Sequence, residues 1–307
     1  MADTSTLVIG TRGSPLALAQ AHETQDRLGR ALGWALEQLP LTVIKTTGDA
    51  IQDRPLSEAG GKGLFTKELD IALVEGAIDL AVHSAKDLPT AMPEGIAILG
   101  YLPREDVRDA FISRFASLSA LPDGAVVGSA SLRRQAQIRR LRPDLQVTLL
   151  RGNVGTRLQK LEGGDVDATL LAMAGLRRLG LSAHVTAILD MKDFLPAVGQ
   201  GAIAIAVRAG DQRVAAALQP ILDAATGHAL AAERAFLAVL DGSCRTPIAG
   251  HARLSGSGLE MRGQVLRPDG SESVDVVLRG TVEDAAALGR EAGQDLRARM
   301  PDGFLKP

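Results

Sequence analysis

"TLVIGTRGSPLALAQAHETQDRL" (residues 6–28) and "GAVVGSASLRRQAQIRRL" (residues 124–141) decide the fold. Each opens on a short apolar run, turns through Gly and Ser, and continues with apolar residues at helical spacing. After the first comes "LTVIKTTGD" (41–49), and after the second "VTLLRGNVGTRL" (147–158), each a strand ending in a Gly loop. "VEGAIDLAVHSAKD" (74–87) then parallels "LEGGDVDATLLAMAG" (161–175). Three matched elements in one order imply two similar α/β domains, and strands alternating with helices imply mainly parallel sheets. Ligands of such sheets bind beyond the carboxyl ends of the strands, where helix N-termini point. Thr11-Arg12-Gly13-Ser14 and Ser129-Ala130-Ser131 fall at those turns. Two such domains facing one another would form a cleft suited to an anion.

Working outward, "YLPREDVRDAF" (101–111) reads as a connector and "FLPAVGQGAIAIAVR" (194–208) as the return. The strand near Ala202 then belongs to the first domain's sheet. The expected domains are 1–102 with 198–220, 103–197, and a smaller C-terminal α+β unit over 221–307. In the last, "GHALAAERAFLAVL" is a helix, Pro268-Asp269-Gly270 marks a hairpin turn, and "VEDAAALGREAGQDLRARM" is a closing helix.

The 307 residues are 46% hydrophobic and 23% charged, ordinary for a soluble globular protein. No apolar run is long enough for a membrane span, and "MADTSTLVIG" carries no secretory pattern, so a cytoplasmic protein is expected. One cysteine excludes an internal disulfide, and five scattered histidines give no metal-ligand spacing. A net charge of −2 and 3% aromatic residues argue against nucleic acid and anionic lipid as partners.

Residues 129–160 hold eight basic side chains and one acid. Taken alone, a charge run reads as a solvated helix face. Arg133 and Arg134, however, fall in the first turn of a predicted helix, where the macrodipole disfavours cations. Arg151 ends a predicted strand and Arg157 follows it. These four are expected to converge on the cleft mouth, whereas Arg139, Arg140 and Arg142 read as surface charge. Arginine grips carboxylate or phosphate through paired hydrogen bonds. With Arg12, Arg178 and Lys62 added, the site suits several anionic groups, and the lack of a Gly-Lys-Ser/Thr phosphate loop favours a polycarboxylate.

In "DLAVHSAKDLPT", Asp87 ends an apolar strand. It either stabilises a cation and moves protons in the cleft, or caps the turn before Pro89. "TTGDAIQDRPLSEAGGKGLF" (46–65), rich in Gly and polar residues, reads as a mobile loop, a lid or a plain surface loop. Cys244, in "LDGSCRTPIAG" (240–250), reads on its own as a small packed residue.

Nine stretches, "TRGSPLALAQ", "GGKGLFTKEL", "AVHSAKDLP", "PREDVRDA", "SLRRQAQI", "RGNVGTRL", "AGLRRLG", "AVGQGA" and "ERAFL…GSCRTPI", occur in the order of one family, from residue 11 to about 248. They resemble porphobilinogen deaminase, also called hydroxymethylbilane synthase. The resemblance implies two periplasmic-binding-protein-like α/β domains with a cleft between them and a third domain with a cysteine loop. It implies a transferase of tetrapyrrole biosynthesis that condenses four porphobilinogen molecules head to tail, releases ammonia and hydrolyses off hydroxymethylbilane. The chain would grow on a dipyrromethane cofactor bound covalently through Cys244, with no metal. Asp87 matches the catalytic carboxylate, expected to hold pyrrole N–H groups and stabilise the azafulvenium cation. Cofactor binding is implied for Asp87, Lys86, Ser129, Ser131, Arg133 and Arg134. Substrate binding is implied for Arg12, Ser14, Lys62, Arg151, Arg157, Arg178 and Gln200. A monomer with no obligate protein partner is implied. Three departures stand out: Ala130 replaces a hydroxyl residue, Arg245 a common glutamine, and "AIAIAVR" lacks a frequent Glu-Cys pair. The competing reading is a non-catalytic, two-lobed α/β protein that binds a polycarboxylate.

Overall fold

A computed structural model describes residues 6–50, 65–240 and 246–304. The chain divides into two compact units, one of residues 1–105 with 202–227 and one of 106–201 with 228–307.

In the first unit, five strands run in the order Leu41–Ile44, Ile9–Arg12, Leu80–Ser84, Ile203–Arg208, Ile96–Tyr101. Ile9–Arg12 is parallel to both its neighbours, and Ile203–Arg208 is antiparallel to both of its own. The second unit repeats the plan with Gln146–Thr148, Val126–Gly128, Ala168–Ala172, Asp109–Ser113 and Ala187–Ile188. There, too, three parallel strands are followed by one antiparallel to its neighbours. The sheets are therefore mixed rather than mainly parallel. The antiparallel strand in each is the first after the chain passes from the other unit. It enters through a connector and not through a βα turn, so the strand–helix alternation in the sequence says nothing of its direction.

The two opening stretches fold alike because each turn supplies its helix with a cap. Ser14 Oγ accepts from the backbone N–H of Ala17 at 3.3 Å, and Pro15 opens the helix Pro15–Leu32, where its missing N–H costs nothing. Ser131 caps Leu132–Leu141, accepting from the N–H of Arg134 at 3.4 Å. Asn153 caps Val154–Glu162 through the N–H of Thr156 at 2.9 Å. Behind these caps the strands bury Ile9, Leu80, Val82, Ile203 and Ile205 in one unit, and Phe111, Val127, Ala168 and Leu170 in the other.

The second unit also holds an antiparallel sheet, Ile248–Ser255, Gly258–Leu266 and Ser273–Thr281, with helices Ala224–Val239 and Ala285–Arg299. The helices touch through glycine. A Cβ at Gly289 would lie 2.0 Å from the carbonyl oxygen of Ala232, so only hydrogen fits there. Glu233, fully buried, accepts from the N–H of Ala252 at 2.8 Å and from the N–H of Gly199 at 2.7 Å. One carboxylate thus ties the helix Ala224–Val239 to both the sheet and the 194–201 segment.

Candidate active site

In the first unit the expected residues gather at the carboxyl ends of two adjacent strands. Arg12 is the last residue of its strand, and its guanidinium lies 4.1 Å from the centre of the Phe65 ring. Ser14 caps the next helix through its oxygen, which leaves its O–H to donate. Lys86 and Asp87 stand in a short 3₁₀ turn, Ala85–Asp87, directly after Leu80–Ser84. Asp87 is half-buried, and its carboxylate makes no hydrogen bond or ion pair among the described residues. The capping reading of Asp87 is therefore not what the fold uses.

A small pocket is lined by Arg12, Ser14, Gln20, Phe65, His83 and Asp87. Gln20 Nε2 donates to Ser84 Oγ at 2.9 Å along its wall. His83 is 5% exposed and its Nε2 meets no acceptor or donor among the described residues. Burial, with the Arg12 charge, pushes its pKa from 6.5 down to about 4, so the ring is neutral at pH 7. A larger hollow of about 470 Å³ between the helix Lys67–Val74 and residues 89–96 is walled by Ile71, Val74, Pro89 and Met92. None of the expected site residues lines it.

In the second unit Ser129 is buried, and its Oγ accepts from the N–H of Ser131 at 3.2 Å. Arg151 lies in the loop after Gln146–Thr148, beyond the strand rather than at its end. Gly152 next to it has φ +119, and a Cβ there would meet Thr156 at 2.7 Å, which explains the glycine of "RGN". Arg157 lies inside Val154–Glu162 and donates from Nε to the Gly152 carbonyl at 2.9 Å. Arg178 ends Met173–Arg178 and donates to the Gly201 carbonyl at 3.2 Å.

Arg133 and Arg134 differ from expectation. Instead of standing at an open mouth beside Arg151 and Arg157, they are 4% and 5% exposed. Their guanidiniums converge on Asp109, which is fully buried at the start of Asp109–Ser113. Arg133 Nη1 donates to Asp109 Oδ2 at 2.8 Å and to the Leu195 carbonyl at 2.8 Å. Arg134 donates to Asp109 Oδ1 from Nη2 at 2.6 Å and from Nε at 3.0 Å, and to the Leu170 carbonyl at 2.9 Å. Gln200, also buried, donates to the Val107 carbonyl at 2.7 Å and to Asp109 Oδ1 at 3.1 Å. Burial pushes the Asp109 pKa up, but the charges of Arg133 and Arg134 overcome it and hold the carboxyl well below its usual range. This pairing offsets the cost of two cations in a helix's first turn.

The surface reading holds for the exposed Arg140 but is corrected for Arg139 and Arg142. Arg139 donates to the Pro268 carbonyl at 2.8 Å, seating the hairpin turn on this helix. Arg142 pairs with Asp144 at 2.6 Å and holds the carbonyls of Leu118 and Leu121. Lys62 and Cys244 lie outside the described residues. Among the described residues no group of three or more His, Cys, Asp or Glu gathers to hold a metal, and no helix is long and apolar enough to cross a membrane.

Three participants escaped the sequence reading: His83, Asp109 and Glu233. A histidine within "LAVHS" and an acid within "ALAAERAFLAV" interrupt apolar runs, and those interruptions were the available signals. Asp109 gave none, being one of several acids in a charged connector.

The description "Porphobilinogen deaminase, dipyromethane cofactor binding domain" matches residues 7–216, and "Porphobilinogen deaminase, C-terminal domain" matches residues 228–298. Porphobilinogen deaminase of Nitrobacter hamburgensis is 58% identical over 298 residues, covering 97% of this chain and 94% of that protein. That of Paracoccus denitrificans is 56% identical, covering 97% and 95%. With both of its parts matched in order and its relatives aligned nearly end to end, the chain belongs to the porphobilinogen deaminase family.

Proposed function

We propose that this protein joins four porphobilinogen molecules head to tail, releases ammonia at each joining, and hydrolyses the product to hydroxymethylbilane for tetrapyrrole biosynthesis. The observation that carries the reading is Asp87. Its carboxylate stands unspent at the end of Leu80–Ser84 and shares a pocket with Arg12 and a neutral His83. An acceptor-only group in that position holds pyrrole N–H groups, balances positive charge that develops as ammonia departs, and takes up a proton at Oδ.

Pyrroles bearing acetate and propionate call for fixed cations. Arg12, Arg151, Arg157 and Arg178 are assigned to the incoming carboxylates, with Ser14 as an O–H donor and Lys62 and Gln200 as further contacts. Arg133, Arg134, Ser129, Ser131 and Lys86 are assigned to a dipyrromethane held through Cys244. The described residues fit such a group: Arg133 Nε is buried and meets no acceptor among them, so a carboxylate has a donor there. When bound, the dipyrromethane supplies the pyrrole terminus to which the first substrate is joined. A thioether suits the attachment because it does not hydrolyse during turnover. The domain limits 1–102 with 198–220, 103–197 and 221–307, a cytoplasmic location and a monomeric state complete the proposal.

Asp87→Asn tests it. The variant keeps the size of the side chain and loses its charge. Turnover of porphobilinogen is expected to fall by about 10²–10³-fold, the scale set by removing one electrostatic stabiliser from an active site. The intact mass should still show two linked pyrroles on the Cys244 peptide. Turnover at the wild-type rate would remove Asp87 from the chemistry. A wild-type chain that neither carries the adduct nor gains it with porphobilinogen would leave a polycarboxylate-binding protein instead.

A further inference from the structure

We propose that Asp109 is a positioning residue that fixes the charge and aim of the Arg133–Arg134 pair, making it a receptor for a single carboxylate of the pyrrole chain. The inference rests on the assignment of those two arginines to the dipyrromethane. Its basis is the composition of the buried cluster. Two guanidiniums contribute two positive charges and Asp109 one negative charge. The remaining partners named here, the carbonyls of Leu195 and Leu170 and the amide of Gln200, are uncharged. Among the described residues, one positive charge is left over in a site shielded from water. A surplus buried charge is costly unless a partner meets it. Arg133 Nε, buried and without an acceptor among the described residues, gives that partner a direction. A carboxylate balances one charge and accepts from such a donor. A phosphate dianion would overbalance it.

The two oxygens of Asp109 do unequal work. Oδ1 receives Arg134 Nε, Arg134 Nη2 and Gln200 Nε2, while Oδ2 receives Arg133 Nη1. In Asp109→Asn the amide oxygen therefore belongs on the Oδ1 side. The NH₂ then faces Arg133 Nη1, donor against donor. Arg134 stays held and Arg133 is released, so the variant isolates the aim of one guanidinium.

The test is intact mass on the folded fraction after size exclusion. Wild type, D109N, R133Q, R133K and D109N/R133Q are compared before and after incubation with porphobilinogen. The fraction of D109N carrying the dipyrromethane is expected to fall at least about tenfold, and the double variant to lose no more than about twofold beyond R133Q alone. Loading of D109N at the wild-type level overturns the inference, as do losses that multiply in the double variant. If D109N yields no folded protein, R133K decides. Lysine keeps the charge but presents a single ammonium in place of a fork that serves Asp109 and a ligand together. Loading of R133K as poor as that of R133Q supports the inference, and loading like wild type overturns it. An unloaded wild type contradicts the assignment of function instead, so the two failures are distinguishable.

Discussion

His83 makes the first unit sensitive to acid by an amount that can be worked out. The ring is buried in the strand Leu80–Ser84 beside Arg12, and its pKa is pushed from 6.5 to about 4. Between those two values the unfolded chain binds a proton that the folded chain refuses, so stability falls as pH falls. At about 1.4 kcal/mol per pH unit, this group alone removes about 2 kcal/mol by pH 5 and about 3 kcal/mol by pH 4. Other groups titrate in the same range. Asp70, whose carboxyl burial pushes up, favours the folded state as pH falls. His83→Gln cancels these contributions, because both proteins share them. The assay is urea unfolding followed by the fluorescence of Trp34, the chain's one tryptophan. Trp34 packs on the core of the same unit, so its signal reports that unit's transition. The stability of wild type minus that of H83Q is expected to drop by about 3 kcal/mol from pH 7 to pH 4. A difference flat across that range would refute the reasoning, since the histidine would then titrate alike in both states.

Glu233→Gln sets an NH₂ against one of two buried backbone N–H groups, those of Gly199 and Ala252. A buried donor left unsatisfied costs about 1–3 kcal/mol, so the melting temperature of the second unit should fall by about 2–12 °C in calorimetry; no shift would mean that the carboxylate is not needed. Cys244→Ala should never gain the mass of two linked pyrroles and, without that ligand, should melt below the loaded wild type; an adduct on that protein would place the attachment elsewhere.

The repeat was legible because it rests on local chemistry. A short apolar strand, a Gly/Ser turn and an amphipathic helix each leave a mark within about ten residues, and in both opening stretches they appear where the pattern put them. The antiparallel strands were legible only as strands. Nothing within Ile203–Arg208 or Asp109–Ser113 states which neighbour each will find, since pairing depends on where a distant connector delivers the chain. The basic residues show the same divide. Their number and their grouping at strand-to-helix turns pointed to anions. That Arg133 and Arg134 are buried on Asp109, that Arg139 holds a hairpin turn and that Arg142 holds a loop are long-range facts. A charge run looks the same in the sequence whether water, a carboxylate or a backbone carbonyl will meet it.

The helix starts carry the argument one step further. Acidic side chains favour the first turn of a helix, where they meet the positive end of the dipole. The helices Pro15–Leu32, Leu132–Leu141, Val154–Glu162 and Met173–Arg178, each following a strand of its sheet, have no acid there. The helix Lys67–Val74 has two, Glu68 and Asp70, whereas Gln212–Leu218, Ala224–Val239 and Ala285–Arg299 have none. A bare first turn forgoes about 0.3–1 kcal/mol and leaves the positive potential of its own N-terminus uncompensated. Arginines placed beside bare N-termini add to that potential. Asp109, buried at the start of Leu132–Leu141, is shared by two guanidiniums and lowers the charge there without cancelling it. Asp87, which the proposed chemistry needs as an anion, stands instead in a 3₁₀ turn and caps no helix. At the start of Leu132–Leu141 the protein thus sets one negative charge against two cations, and the proposed function gives the remainder to a carboxylate.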